Sequence, residues 1–582
     1  MSLSDVINAT NLFRFAVGAV ALGVTWLVYR VIVTPLMSPH RQIPGPKRDS
    51  WWAGNIHRIV AEEPSVAHRE WSSKYGGVVR YHLFFGKESL LVTDSVALNH
   101  ILNARAYDYP KPSQVRGELA RILGRGVLFA EGEDHKRQRK VMNPAFAPSH
   151  LKEMLPTFFE YSYKLRDKWM EMVQSTIQDD RAHKNDGAAQ QYLSSKPDNE
   201  NVIEVSHWLS RATLDVIGDA GFGYHFGAVS GERNELAQAF QVMISPNGGV
   251  RRLSPGILLV GMFFQTLMGL VPFNIAKFLP SERIRAVAKG FDVMDQESRK
   301  IVAEKRRMIK DEGIDSVKTS RDLMSLLLKS NMGTTKSTLS DDELQGQMTT
   351  MLLAGHETSS TALTWLLWTL AQRRDVQDKL RAEVRQARMA AQADGEEELS
   401  LDRLNGLEYL DAVVREILRV EPPVSMTLRE AAADDVVPLS KPIKSADGST
   451  ELSNFQVKKG ARIMVSIVAV NKDPSLWGDD ADEFKPERWL GDKEPQGAVG
   501  VYSRMLTFLA GARACIGYRM AVLEIKAILS VLIDSFEFAE REPGLQVERK
   551  SAIVTRPAIV GEENLGLRMP LKVSIAKREV ED

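Results

Sequence analysis

Apolar residues fall along this chain in three patterns. Leu12 to Met37 is a nearly continuous apolar run, unbroken from Phe15 to Tyr29 and resumed after Arg30 by Val31, Ile32 and Val33. It predicts a membrane-spanning helix, which needs about 20 mostly apolar residues, with Arg30 able to snorkel to the headgroups. Two short runs, Val78 to Phe84 and Leu90 to Thr93, flank a Gly-Lys-Glu-Ser turn and predict a small sheet. Helical periodicity marks the rest. Val202 to Gly227 reads as a buried helix, and Asp341 to about Arg373 as a continuous helix opened by a Ser340/Glu343 capping box. Leu407 to Glu421 is a helix closed by Pro422-Pro423, and Tyr518 to Ile533 carries Ala521, Ile525, Ile528, Leu529 and Leu532 at helical spacing. Phe455 to Ser466, with its Lys-Lys-Gly turn, reads as hairpin-like β structure.

Between these patterns the chain is irregular. Ile43-Pro44-Gly45-Pro46 cannot continue a helix and reads as a stiff hinge. Tyr107 to Phe129 is rich in Pro, Gly and Arg and predicts no regular element; Asp180 to Asn201 predicts a surface loop. Pro255 to Pro280 is apolar but broken, which suits a buried helix better than a second span.

Composition narrows the class. With 582 residues, 44% hydrophobic and 26% charged, the chain suits a large globular core, and a formal net charge of zero gives no general attraction for nucleic acid. One cysteine excludes an intramolecular disulfide framework. Basic residues follow the apolar run (Arg30, Arg41, Lys47, Arg48), whereas Asp5 and Arg14 precede or begin it, so the bulk of the chain is expected on the cytosolic side. The run is long for a cleaved signal peptide and basic on the wrong side for one. The expected organisation is an anchor and linker over residues 1–42 and one large domain over 43–582.

The single cysteine, Cys515, is the chemical pivot. Gly511 and Gly517 flank it, giving a tight backbone that can approach a bulky planar group, and Arg513 lies between them. It precedes a predicted helix N-terminus, which favours thiolate over thiol. One thiolate cannot complete a zinc or iron–sulfur site, but it suffices as the axial ligand of haem. A small buried hydrophobe and a nucleophile needing a histidine elsewhere remain alternatives at this point.

Further upstream, Gly355 and Glu357 are out of place in an apolar helix, and Ala354 and Thr358 share a face, offering an indentation edged by a hydroxyl. His135 and Arg139, in the run His-Lys-Arg-Gln-Arg-Lys, are also four apart on one face. Glu416 and Arg419 form an (i, i+3) pair. Gly-Phe-Gly-Tyr-His-Phe-Gly has the wrong spacing for a dinucleotide fingerprint and no preceding strand.

Phe508-x-x-Gly511-x-Arg513-x-Cys515-x-Gly517 resembles the haem-ligand signature of the cytochrome P-450 family of haem-thiolate monooxygenases. Its other landmarks follow in family order: Ala-Gly-His-Glu-Thr, Glu-x-x-Arg, Phe484-Lys-Pro-Glu-Arg488-Trp489, then the cysteine. The resemblance implies a mainly α fold with small β-sheets. It implies Cys515 as the iron ligand, with Phe508, Gly511, Arg513 and Gly517 around the cofactor. Arg139, Arg429 and His135, the last standing where Trp is usual, would hold haem propionates. Ala354, Gly355, Glu357 and Thr358 would form the oxygen-activation motif, with Gly355 making room for dioxygen. Glu416, Arg419 and Arg488 would form a buried charge network, with Trp489 where Phe is common.

The implied reaction is insertion of one oxygen atom into an apolar substrate, with electrons from NADPH through a separate flavoprotein reductase, at the endoplasmic reticulum membrane. The first sheet would lie beside the membrane and Pro255 to Pro280 would act as a lid. A terpenoid or other secondary metabolite is the expected substrate, from the generic look of a fungal-type microsomal enzyme. The rivals are a haem-thiolate isomerase or dehydratase acting on peroxides and a membrane-tethered, non-catalytic haem sensor.

Overall fold

The structure, a computed structural model, describes residues 9–29, 37–183, 201–232, 282–312, 322–331, 338–491, 499–551 and 553–577, with isolated residues between them. The predicted loop at Asp180 to Asn201 falls mostly outside these residues, as does nearly all of Pro255 to Pro280.

In chain order the elements that matter are α1 (Ala9–Val28), β1 (Val78–His82), β2 (Glu88–Val92), α2 (Ser113–Leu123), α3 (Gly132–Met142) and α4 (Pro148–His183). Next come β3 (Val202–Glu204), α5 (Val205–Val216), α6 (Glu282–Glu312), α7 (Asp341–Gln372), α8 (Arg374–Ala393) and α9 (Glu408–Val420). Then follow β4 (Met426–Glu430), β5 (Asp435–Lys444), β6 (Glu451–Val457), β7 (Arg462–Ser466), α10 (Tyr518–Ser535), β8 (Phe536–Glu540), β9 (Val547–Ser551), β10 (Thr555–Ile559) and β11 (Pro570–Ile575). The described residues divide into two compact units. One draws on Met1–Pro112 and Met426–Val470, the other on Ser113–Arg251, Leu267–Ser425 and Asn471–Asp582.

The smaller unit is built on a four-stranded sheet in the order β1-β2-β7-β4. β1 and β2 form the predicted antiparallel pair, from Val78 opposite Val92 to His82 opposite Glu88; β7 joins β2 in parallel and β4 closes antiparallel on β7. Phe455 to Ser466 is not a hairpin. β6 pairs with β5, while β7 leaves for the four-stranded sheet. Burial explains the split: Ile463 and Val465 of β7 are fully buried, whereas β6 is mostly exposed and suits the equally exposed β5.

The expected transmembrane helix is not found. Among the described residues no helix is long and apolar enough to cross a membrane. α1 is a 20-residue helix, but Asn11 and Arg14 occupy its first turns. The uninterrupted apolar stretch from Phe15 to Val28 covers only ~21 Å at 1.5 Å per residue, against a hydrocarbon core of ~30 Å. Phe15, Leu22 and Trp26 stand exposed on it.

The larger unit is mainly helical. Its core gathers Phe158, Leu165 and Trp169 of α4, Leu209 of α5, Leu363 and Trp365 of α7, Val413 and Ile417 of α9, and Ile528 and Leu529 of α10. α7 begins as predicted: the Ser340 hydroxyl accepts from the Glu343 N–H at 3.3 Å and the Glu343 carboxylate accepts from the Ser340 N–H at 2.9 Å. Two strand groups, β3-β11-β8 and β9-β10, complete the unit. The segment expected to be irregular contains α2, whose Val115, Leu119 and Ile122 keep helical spacing; Pro110, Pro112 and Gly117 concealed it.

Candidate functional site

Everything in this section except Arg429 lies in the larger unit. Cys515 follows a loop in which Leu506–Phe508 and Gly511–Arg513 form tight helical turns. Gly511 has φ 66°, in the left-handed region where a side chain would be strained. The Cys515 N–H donates to the Phe508 carbonyl at 2.9 Å, and the Ala514 N–H to the Gly511 carbonyl at 3.0 Å. Phe508 packs with Tyr502 and Tyr518 at ring separations of 5.6 and 5.9 Å. Gly517 caps α10.

The thiol does not simply follow its helix. Burial pushes it above its ordinary value, against the pull of the Gly517 N–H and of Arg139. Yet the cysteine is accessible.

Two elements place charge around this loop. Arg139 of α3 donates to the Ala514 carbonyl, and Arg513 is paired with Glu131. His135, one turn from Arg139, is buried. Arg137 of the same basic run turns to the capping box of α7, donating to Glu343 and to the Thr338 carbonyl.

α7 supplies a second surface. Twenty-two of its residues are buried, but Ala354 is exposed and Gly355 and Thr358 are partly so. Between Gly346 and Trp368 these three are the only positions of the helix that are not buried, and together they make a dent in its surface. The Thr358 hydroxyl donates to the Ala354 carbonyl at 2.7 Å at its edge. A Cβ at Gly355 would lie 2.8 Å from Ile217 Cγ1 and 2.9 Å from Cδ1, so this glycine admits the turn that follows α5. Glu357 points elsewhere: it is buried and ion-paired with Arg556 of β10, with His356 Nε2 3.1 Å from its Oε1.

The network of α9 is complete. Glu416 and Arg419 are fully buried. Arg419 directs all five of its N–H donors to acceptors: Nε to Glu416 at 2.9 Å, Nη2 to Glu416 at 2.7 Å and to the Glu483 carbonyl at 2.9 Å, and Nη1 to the carbonyls of Asn471 and Ala481. Glu416 also receives Arg488 Nε at 3.4 Å and the Lys485 N–H at 2.9 Å. This cluster is tied to the cysteine loop: Thr507 donates to the Leu418 carbonyl at 2.6 Å, and Asn471 accepts from the Leu506 N–H at 2.8 Å.

Sequence reasoning missed three partners. The Trp489 indole N–H donates to Glu416 at 2.9 Å, a bond phenylalanine cannot make. Arg556 is the counter-ion of Glu357. Glu524 of α10 is buried, accepts from the Ser359 hydroxyl of α7 at 2.6 Å, and is pushed up by burial to about 8. An acid within the apolar run of α10 was a visible signal of the kind that singled out Glu357. In the other unit, Arg429 is buried on β4 and donates to Thr427 and to the Leu428 carbonyl at 2.8 Å.

The donor set fits an iron porphyrin. A single accessible sulfur at a helix N-terminus offers one axial bond, and Arg139, Arg513 and His135 cluster beside it as the cationic or N–H partners that carboxylate side arms need. Clefts of about 340 Å³, beside Arg121, Asp295 and Gln345, and about 390 Å³, beside Tyr518, Asp411 and Lys526, are lined by neither Cys515 nor Thr358.

The sequence model of the family described as Cytochrome P450 matches residues 44–559. The chain is 37% identical over 578 residues to Cytochrome P450 monooxygenase 205 of Postia placenta, covering 97% of this chain and 98% of that one. It is 37% identical to Cytochrome P450 monooxygenase 128 of the same fungus, over 96% and 97% of the two chains. Cytochrome P450 monooxygenase claO of Ampulloclitocybe clavipes is 33% identical, over 88% and 89%.

Proposed function

Since the chain belongs to the cytochrome P450 family, and its full-length relatives are fungal monooxygenases, we propose that it inserts one atom of dioxygen into an apolar organic substrate. The other atom leaves as water, with two electrons from NADPH through a separate reductase. The observation that carries this reading is the pairing of an accessible lone cysteine with an accessible dent in a buried helix, both in the larger unit.

When bound, haem supplies the iron centre at which dioxygen is activated. Cys515 would hold the iron, and Arg139, Arg513 and His135 would neutralise the carboxylate arms. Gly511, at φ 66°, lets the backbone turn tightly before Cys515, and Phe508 would lie beside the bound cofactor. Thr358 would orient a proton donor at the dent, and Glu357, paired with Arg556, would relay protons from solvent. Glu416, Arg419 and Arg488 keep the loop in shape. The substrate class we favour is a terpenoid or other secondary metabolite. The exposed apolar side chains of α1 supply a surface for association with the endoplasmic reticulum membrane, with the rest of the chain in the cytosol.

The ferrous carbon-monoxide spectrum of the haem-loaded protein tests the ligand. The long-wavelength Soret band of thiolate ligation is expected in the native protein and lost in Cys515→His; its absence from the native protein overturns the reading. Metabolite profiling of a host expressing the chain with a reductase then identifies the substrate.

A further inference from the structure

Just before Cys515 the backbone takes a conformation that its side chains oppose. Leu509 has φ 57° and ψ −163°, in the left-handed region that glycine adopts freely and leucine rarely. Ser503 and Arg504, at φ 46° and 56°, lie in that region as well. Such conformations persist only where the surroundings over-determine them.

The strained residue and the sulfur-bearing one are joined through a single peptide group, that of Phe508 and Leu509. Its N–H donates to the Leu506 carbonyl at 2.8 Å, and its carbonyl, on Phe508, accepts from the Cys515 N–H at 2.9 Å. Turning this peptide plane over would bring Leu509 into the ordinary extended region and relieve it. The same motion would carry the Phe508 carbonyl away from the Cys515 N–H.

One side chain pins the turn that holds this peptide. Leu506 is fully buried, and its N–H donates to Asn471 Oδ1 at 2.8 Å. A backbone N–H only donates, so that atom is the amide oxygen, and the Asn471 nitrogen is left to donate. It does so to the Thr507 hydroxyl at 2.8 Å and to the Arg419 carbonyl at 3.3 Å. Thr507 in turn donates to the Leu418 carbonyl at 2.6 Å. Asn471 is itself fully buried, and its own carbonyl accepts from Arg419 Nη1 at 2.8 Å. Two consecutive residues of the turn are thus tied to α9 through one amide.

We propose that Asn471 is a positioning residue for the cysteine ligand: it holds the Phe508–Leu509 peptide in its strained orientation and so keeps the Phe508 carbonyl on the Cys515 N–H. Without it the turn relaxes, the peptide turns over, and the sulfur loses its fixed direction.

This inference rests on the reading of Cys515 as the iron ligand, and its test separates the two. The ferrous carbon-monoxide spectrum and the unfolding midpoint are recorded for the haem-loaded native protein, Asn471→Ala, Leu509→Gly and the double variant. Asn471→Ala is expected to lose most of the long-wavelength Soret band of thiolate ligation. Leu509→Gly alone should keep the band, because glycine holds the same backbone without strain. In the Asn471→Ala background it should bring most of the band back, since an unstrained turn needs no clamp. The midpoint of the double variant should stay below the native one, because the bonds to α9 are still missing.

A full band in Asn471→Ala, or a band that Leu509→Gly fails to restore, overturns the inference while the native band still upholds thiolate ligation. Absence of the band from the native protein overturns that ligation, and the inference with it. Should Asn471→Ala fail to fold, Thr507→Val takes its place, removing the hydroxyl between Asn471 and Leu418. Its band should again be lost and again be restored by Leu509→Gly; a band left intact or not restored overturns the proposal.

Discussion

The indole N–H of Trp489 is bonded at 2.9 Å to Glu416, a carboxylate with no exposed surface. Tryptophan therefore contributes a fifth hydrogen bond to this acid, beyond Arg419 twice, Arg488 and the Lys485 N–H. Trp489→Phe keeps the ring packing on Trp477, 5.6 Å away, but removes the donor. A hydrogen bond to a charged group is worth about 1.5–3 kcal/mol, and denaturant unfolding should show a loss of that size. Arg419→Ala, which strands a buried charge, should cost more, about 3–5 kcal/mol, and sharply lower the yield of haem-loaded protein.

Thr358→Ala should leave stability nearly unchanged, because the hydroxyl bonds only back to Ala354 within its own helix. Its effect should appear in turnover. With the profiled substrate, product formed per NADPH should fall by about tenfold or more while NADPH consumption continues and hydrogen peroxide accumulates. Unchanged coupling removes Thr358 from the reaction.

Gly355→Ala tests helix packing. The new methyl would meet Ile217 at 2.8–2.9 Å. Overpacking of this kind costs about 1–3 kcal/mol, more than the gain in helix propensity of up to about 1 kcal/mol. Removing the obstacle with Ile217→Ala in the same chain should recover part of the loss. If Gly355→Ala alone is neutral, the glycine is not required by this contact.

Two buried groups set opposite pH limits. Glu524 is raised to about 8, so the folded chain holds a proton that the unfolded chain releases above its ordinary carboxylate range. Stability therefore falls as pH rises toward 8, by up to about 1.4 kcal/mol per pH unit for one group. Glu524→Gln should flatten that decline in thermal unfolding curves.

His68, in the smaller unit, behaves in the opposite sense. It is buried edge-on to Trp71 and Tyr81, at 5.5 and 5.8 Å, and its ring nitrogens have no hydrogen-bond partner. Burial lowers it to about 4, so the unfolded state takes up the proton first and stability is lost as pH falls from about 6.5 to 4. His68→Phe should make the acid limb shallower; an unchanged limb would place its origin elsewhere.

Local signals were legible in the sequence. The Ser340/Glu343 box, the breaking prolines after α9 and the periodicity of α10 each act within a few residues, and the helices begin and end close to where those signals stand. The mainly α architecture with small sheets follows from them. What the sequence did not disclose depends on distant partners. Arg556 is 199 residues from Glu357, and Glu524 is 165 from Ser359. Likewise β7 left β6 because a buried position was open beside β2, about 370 residues earlier, and no local pattern encodes that choice. The thiol shows the same limit. A helix N-terminus is readable from sequence, but the mass of protein around it, which pushes the pKa the other way, is not.

The hydrogen bonds of Arg419 also carry a history. Its acceptors and the donors to Glu416 run from residue 416 to Trp489, and Trp489 leaves the ribosome 26 residues ahead of Cys515. The parts of this clamp are thus synthesised before the sulfur that it serves. Thr507, which fastens onto Leu418, emerges between them.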